Sequence, residues 1–312
     1  MNGQARQHAR SQYARLQKSY QKGRNRFVMQ KIEKLGYFNG EWGPLEEMEV
    51  PFLDRSSFYG DGVYDATMTQ DGVILYEQEH IDRFYRSADL MQITIEQSKE
   101  ELAQILREMV SHTSAQTNFL YWQVTRGTDF RHHTFPDCSA NLWIMITPDE
   151  FEDLSVKEKL ITVEDTRFYH CNAKTLNLLP NVLASEKAKQ HGCYEAVFVR
   201  DGMVTECAHS NVHILKDGKL ITHQADNLIL PGIARAHLIA MCKKLGVGVE
   251  ERPFTRAELM DADEVIVSSS STFAVGVSQI DGAAVGGKSA ELLATIQHAL
   301  NDEFTAYIAA HK

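Results

Sequence analysis

Two periods of apolar and polar positions run through the chain from residue 36 onward, and they predict the elements. Tyr37-Phe38-Asn39-Gly40-Glu41-Trp42 reads as a short strand entering an Asn-Gly turn. Glu49–Leu53 reads as a strand broken by Asp54-Arg55-Ser56-Ser57. Phe58-Tyr59-Gly60-Asp61-Gly62-Val63-Tyr64 is a glycine-bracketed aromatic loop. Tyr64–Thr69 is a strand, Gln70-Asp71-Gly72 a hairpin turn and Val73–Tyr76 the return strand. Helical spacing then takes over: Ile81, Phe84, Tyr85 and Ala88 in Glu79–Leu90, and Leu102, Ile105, Leu106 and Met109 in Ser98–His112. Phe119–Thr125 and Ala140–Thr147 are buried-type strands, joined by a long cationic loop. The acidic stretch Pro148–Asp153 is the best place to divide the chain.

The second half opens with a strand over Leu160–Asp165. A helix over Leu179–Gln190 ends at Gly192. Strands follow at Glu195–Arg200, through Glu206, at Asn211–Leu215, at Leu220–Thr222 and at Val265–Val267. Gly232–Leu245 is a helix closed by Gly246, and Ser289–Ala310 is a terminal helix. Hairpins are frequent and strand–helix–strand units do not dominate, which predicts an α+β fold rather than a doubly wound sheet.

Charge changes the picture at the N-terminus. The chain carries a formal −10, yet residues 1–36 hold nine Lys/Arg against one acid, Glu33. That is +8 on the extension, leaving −18 (−10 minus +8) on the rest. An acidic body argues against nucleic acid as a partner. The extension, residues 1–35, fits a transit-type leader, a basic arm, or a poorly ordered or peripheral helix without a catalytic role; the last is the expectation. Cys138, Cys171, Cys193, Cys207 and Cys242 are odd in number and lack metal-ligand spacing. They predict reduced thiols, no metal site and a cytoplasmic protein. The chain has neither an apolar run near the ~20 residues of a membrane span nor the apolar core of a signal peptide.

Candidate chemistry gathers at a few positions. Lys174 runs straight into an apolar segment, Lys174-Thr175-Leu176-Asn177-Leu178-Leu179, and Glu206 follows in Val204-Thr205-Glu206. A lysine able to form a Schiff base and a carboxylate able to hold a pyridinium nitrogen are the minimum for pyridoxal phosphate chemistry. A snorkelling lysine and a surface glutamate would leave the same pattern. Two segments suit an anion. One is Leu230-Pro231-Gly232-Ile233-Ala234, where a helix begins with unpaired amides; the other is the hydroxyl run Ser268–Thr272, which could also be a plain flexible loop. Arg83 sits at the edge of an apolar helix face, able to reach inward to a phosphate or to pair with Glu79 on the surface.

In order and spacing these segments resemble the class IV (fold type IV) pyridoxal-phosphate aminotransferases, and most closely their D-amino-acid branch. The resemblance rests on Asp54-Arg55 with Phe58–Tyr64, Glu79-His80-Ile81-Asp82-Arg83, Thr125-Arg126-Gly127, Lys174–Leu179, Val204-Thr205-Glu206 with Ser210-Asn211-Val212, and Asn227-Leu228-Ile229-Leu230. It covers about residue 36 to about 300 and implies a two-domain fold, residues 36–150 and 151–312, with the cofactor in the cleft between them. It implies that Lys174 forms the internal aldimine and moves the proton, and that Glu206 pairs with the pyridine nitrogen, with Ser210 and Asn211 in the cofactor site beside it. It further implies that Arg83, the Gly232, Ile233 and Ala234 amides and the Ser269 and Ser270 hydroxyls hold the phosphate. Tyr64, with Arg131 and His133 from the partner of a homodimer, would trap the substrate carboxylate, and His132 would face away.

The implied reaction is ping-pong transfer between D-amino acids and 2-oxo acids, D-alanine with 2-oxoglutarate being the natural pair. Branched-chain L-amino-acid aminotransferases, R-selective amine transaminases and aminodeoxychorismate lyases are the alternatives within the family. A non-enzymatic binding protein on the same fold is the alternative outside it. Departures from the pattern are Asp65 beside Tyr64, His209 in Cys207-Ala208-His209-Ser210, Ala234 in place of a threonine, and Phe273 after the hydroxyl run. Phe273 predicts a more apolar or a tighter substrate pocket.

Overall fold

The computed structural model describes residues 31–312, so most of the basic extension lies outside the described residues. The first sheet is antiparallel throughout. Its strands are β1 (Leu35–Phe38), β2 (Glu41–Pro44), β3 (Gly62–Gln70), β4 (Val73–Ile74), β5 (Thr117–Thr125) and β6 (Asn141–Pro148), in the order β2-β1-β6-β5-β3-β4. Helices α2 (Glu77–Leu90) and α3 (Lys99–Ser111) follow the one-turn helix α1 (Ser56–Tyr59) in the chain. The apolar stripes of α2 and α3 bury Ile81, Phe84, Leu102 and Leu106 against Leu120, Trp122 and Ile144 of the sheet. Helix α3 starts where Ser98 and Glu101 form a reciprocal capping box.

The second sheet is mixed. It contains β7 (Glu158–Glu164), β8 (Glu195–Arg200), β9 (Met203–Cys207), β10 (Asn211–Lys216), β11 (Lys219–Thr222), β12 (Gly248–Glu251), β13 (Phe254–Thr255), β14 (Glu264–Ser268), β15 (Val275–Ile280) and β16 (Ala283–Ala284). Helices α4 (Leu179–Gln190), α5 (Ile233–Lys244), α6 (Arg256–Met260) and α7 (Ala290–His311) accompany it. Helix α7 also reaches back, packing Phe304 and Ile308 with Val73 and Leu75 of the first sheet's β4 hairpin. The mixed helix and sheet content bears out the α+β expectation.

One contact places the site. The segment 174–176 pairs with the start of β3: Tyr64 N–H donates to the Lys174 carbonyl at 2.9 Å, and Leu176 N–H to the Gly62 carbonyl at 3.0 Å. A side chain on Gly62 would meet the Val124 carbonyl at 2.6 Å, which is why this strand start tolerates only glycine.

Two expectations fail. Glu49–Leu53 is not a strand: Pro51 has no amide to donate, and the alternating Val50 and Phe52 find no sheet, Phe52 being 85% exposed. Phe58–Tyr64 is not a single loop, because α1 ends at Gly60 in the left-handed conformation and β3 begins at Gly62. Strands β2, β12, β13, β15 and β16 and helices α1 and α6 are additional to the sequence-based elements.

Candidate active site

Between the two sheets lies a cleft of about 340 Å³, within the ~300–1,000 Å³ range of small-molecule sites. Tyr64, Arg83, Lys174, Glu206, Ser210, Asn211, Gly232, Ile233, Ala234, Ser269 and Ser270 all line it. These positions span more than 200 residues of chain, and the fold brings every one of them to a single cavity.

Lys174 is fixed by its own backbone. Its N–H donates to Ser87 Oγ on α2 at 3.1 Å, and its carbonyl is taken by Tyr64. Strand alternation then points Tyr64 and Lys174 at one another, with Nζ 4.3 Å from the centre of the Tyr64 ring. Tyr121 stacks behind Tyr64 at 5.3 Å.

Glu206 is the penultimate residue of β9, on the other side of the cleft, and is 6% exposed. Its Oε2 accepts from the Leu230 amide and from Asn211 Nδ2, both at 3.0 Å. Its Oε1 accepts from Arg167 Nη1. Burial pushes the carboxyl up to about 7, against the opposing pull of Arg167, the Leu230 amide and Lys174. Arg167 is the main residue that sequence reasoning missed. Its guanidinium is shared between Glu206 and Asp165, with Nε and Nη2 at 3.0 and 2.9 Å from the Asp165 oxygens, and Asp165 is also paired to Arg200 at 3.0 Å. The available signal was Asp165-x-Arg167 directly after a buried strand, too common a pattern to single out.

The opposite end of the cleft is rich in donors. Asp65, the strand neighbour of Tyr64, points to the other face and is fully buried. It accepts from Arg83 Nε and Nη2 at 2.9 and 2.7 Å, so Arg83 is locked by Asp65 and not by Glu79. Nη1 is the guanidinium nitrogen that Asp65 does not engage. His80 Nδ1 is 2.8 Å from the same carboxylate, and its Nε2 is 3.5 Å from Ser270 Oγ. Burial works to raise the Asp65 carboxyl, but Arg83 and then His80 outweigh it and hold it well below the usual carboxylate range. Ser269 Oγ is held by Thr272 Oγ1 at 2.9 Å.

Helix α5 begins beside these groups, with Gly232 as its N-cap and the Ile233 and Ala234 amides in its first turn. Added at Gly232, a Cβ would sit 2.1 Å from Asn211 Oδ1, so any larger residue must displace the Asn211 amide that donates to Glu206 and to the Leu230 carbonyl. Ser210 is less available, since its hydroxyl donates to the buried Glu195 carboxylate, which also accepts the His209 amide. The His209 imidazole stands 3.5 Å from that carboxylate.

Arg131 and His133 do not line this cleft. They are exposed on the β5–β6 loop, packed on Tyr59, with the Arg131 guanidinium 4.9 Å and the His133 ring 5.4 Å from that ring's centre. Phe273 corrects another expectation. It does not line the main cleft but turns away with a φ of 42° and stacks among Phe151 and Phe304 at 5.6 and 5.1 Å, so its bulk goes into the α7 contact.

The sequence profile of the family described as amino-transferase class IV matches residues 62–280. The chain belongs to the class IV aminotransferases. It is 40% identical to the D-alanine aminotransferase of Listeria monocytogenes serotype 4b over 83% of this chain and 92% of that one. It is 35% identical to the D-alanine aminotransferase of Bacillus licheniformis over 85% and 95%. Among solved structures, the branched-chain amino acid aminotransferase of Escherichia coli superposes with a TM-score of 0.79 at 25% identity, over 86% of this chain and 94% of that one. A second branched-chain amino acid aminotransferase, from T.th. and solved with pyridoxamine 5'-phosphate, gives 0.80 at 25% identity, over 88% and 96%.

Class IV aminotransferases are pyridoxal-phosphate enzymes, and this aminotransferase has the donor set that the cofactor needs. An amine, Lys174, stands between a carboxylate end and an anion-binding end. The buried Glu206 carboxyl ionises only near neutral pH, a cost that a cationic ring nitrogen would offset. The Arg83 guanidinium, the seryl hydroxyls and the first amides of α5 suit a phosphate. Among the described residues, no helix is long and apolar enough to cross a membrane.

Proposed function

We propose that this protein is a D-amino-acid:2-oxo-acid aminotransferase working in two half-reactions, with D-alanine and 2-oxoglutarate as the expected pair. The observation that carries the reading is the meeting of Lys174, Tyr64 and Glu206 in one cleft, in a chain that also holds Arg131 and His133 in fixed positions. Its 35–40% identity to D-alanine aminotransferases supports the same choice.

In this reading residues 36–150 and 151–312 are two domains that close on the cofactor. When bound, the cofactor supplies the electron sink for the carbanion left at the substrate Cα. Lys174 Nζ takes the proton from that Cα and returns one in the reverse half-reaction. Glu206, held by Arg167, Asn211 and the Leu230 amide, keeps negative charge where the pyridine nitrogen needs a partner. Arg83, Ser269, Ser270 and the Ile233 and Ala234 amides hold the phosphate. The protein works in the cytoplasm as a homodimer. Tyr64 of one subunit and Arg131 and His133 of the partner subunit together clamp the α-carboxylate, a guanidinium, an imidazole donor and a phenol on one anion.

The test is the visible absorption of the cofactor-loaded protein. D-alanine should bleach the band and L-alanine should leave it. The branched-chain neighbours favour a second reading, an L-branched-chain aminotransferase. Bleaching by L-leucine and not by D-alanine would establish that reading instead.

A further inference from the structure

The side chains of Arg131 and His133 meet at one aromatic ring. Tyr59, the last residue of α1, lies under two guanidinium groups, with Arg55 and Arg131 each 4.9 Å from its ring centre. The His133 ring packs against it at 5.4 Å. Arg55 ties the same loop by its backbone, donating from Nη1 to the His132 carbonyl at 2.7 Å, while its Nε is fixed by Asp61 at 2.8 Å. The Tyr59 hydroxyl is buried and has no hydrogen-bond partner among the described residues. A buried hydroxyl left unpaired is a cost, so what the fold uses at this position is the aromatic face.

The clasp is also joined to the protein's own reaction centre. Gly60, next to Tyr59, gives its carbonyl to Asn177 Nδ2 at 3.0 Å, three residues beyond Lys174. Thus α1 is braced on the lysine segment on one side and grips the Arg131/His133 loop on the other.

We propose that Tyr59 is the positioning residue of the carboxylate clamp, fixing Arg131 and His133 through its ring and not through its hydroxyl. This rests on the reading of those two residues as the partner subunit's carboxylate ligands. Among the described residues the exposed Arg131 and His133 side chains make no hydrogen bond or ion pair, so the Tyr59 ring is what keeps the two in register. Pre-orienting them acts on the binding of every α-carboxylate, donor and acceptor alike, without touching the proton transfer at Lys174.

The experiment compares Tyr59→Leu and Tyr59→Phe in the cofactor-loaded protein. Tyr59→Leu should raise KM for both D-alanine and 2-oxoglutarate by about tenfold, the size of losing cation–π contacts that order a clamp. It should leave kcat within about twofold, because such contacts bind ground and transition states alike. The cofactor absorption and melting temperature should stay at wild-type values. Tyr59→Phe, which keeps the ring, should retain the wild-type KM. Unchanged KM values in Tyr59→Leu, or an equal loss in Tyr59→Phe, would overturn the proposal. Arg131→Ala separates the two levels. If it raises KM and Tyr59→Leu does not, the positioning role alone fails. If Arg131→Ala leaves KM unchanged, the clamp itself fails.

Discussion

Replacing Glu206 with glutamine tests the electrostatics of the cleft most directly. In the unfolded chain this carboxyl ionises near its ordinary 4.5, and in the fold burial pushes it up to about 7. A folded value above the unfolded one means that the folded state holds a proton the unfolded state has already lost. Glu206 therefore contributes its stability below pH 4.5, and that contribution is lost as the pH rises through 7. The gap corresponds to about 3 kcal/mol, of which about 2–3 kcal/mol falls between about pH 5 and pH 8. Glu206→Gln has no such proton to lose. Freed of cofactor, the variant should gain on wild type by about 3–5 °C in melting temperature across that interval, while every other titration cancels in the difference. Adding pyridoxal phosphate should suppress the drift in the wild type, because a protonated ring nitrogen gives the ionised carboxylate a cationic neighbour. Parallel pH profiles for the two cofactor-free proteins would refute the reasoning, and would mean that Arg167 alone keeps Glu206 ionised at no cost.

Other expectations follow from the same geometry. Lys174→Ala should abolish transamination, measured as pyruvate formed from D-alanine and 2-oxoglutarate; activity within about tenfold of wild type would remove Lys174 from the chemistry. Asp65→Asn strips the carboxylate from an Arg83 that is 5% exposed, and should cost about 3–5 kcal/mol in the cofactor-free protein. Denaturation should show a smaller loss once pyridoxal phosphate is bound, since a phosphate anion takes over part of the compensation. Gly232→Ala drives a methyl group against Asn211 Oδ1, 2.1 Å from its ideal position, and should weaken cofactor binding by about tenfold or more in a spectroscopic titration, because Asn211 also supports Glu206.

Much of this site was legible because its residues sit in local patterns. The Lys174 segment, the Gly232 helix start and the Ser269-Ser270 run each announce themselves within a few residues. Helices such as Leu179–Gln190 agree with the expected bounds. What stayed hidden depends on which distant groups share a buried face. Asp65 reads as a plain neighbour of Tyr64 until strand alternation sends it to the helix side, where His80 and Arg83 meet it. Arg167 gains its meaning only where the chain leaving β7, separated from β9 by β8, sets it between Asp165 and Glu206. Val50 and Phe52 misled for the reverse reason: the alternation is real, but no sheet edge receives it, so both remain exposed. Phe273 misled because a left-handed turn at that residue sends the side chain toward α7 rather than into the cleft.

The two ends of the cleft use one device with the signs exchanged. At one end a carboxylate faces the cavity and a cation backs it: Glu206, then Arg167, then Asp165 and Arg200. At the other a cation faces the cavity and a carboxylate backs it: Arg83, then Asp65 with His80. A buried charge without a partner would neutralise itself or unfold its surroundings. The backing group prevents that while leaving the front group oriented and incompletely matched. A ligand with a cationic ring nitrogen at one end and a phosphate at the other completes both sets at once. The carboxyl held near pH 7 is the measurable trace of that mismatch. The cleft is thus least comfortable where it must bind: near neutral pH the pH dependence of the cofactor-free protein should be set by Glu206, whereas Asp65, held well below its ordinary 3.8, contributes stability that is lost only in acid.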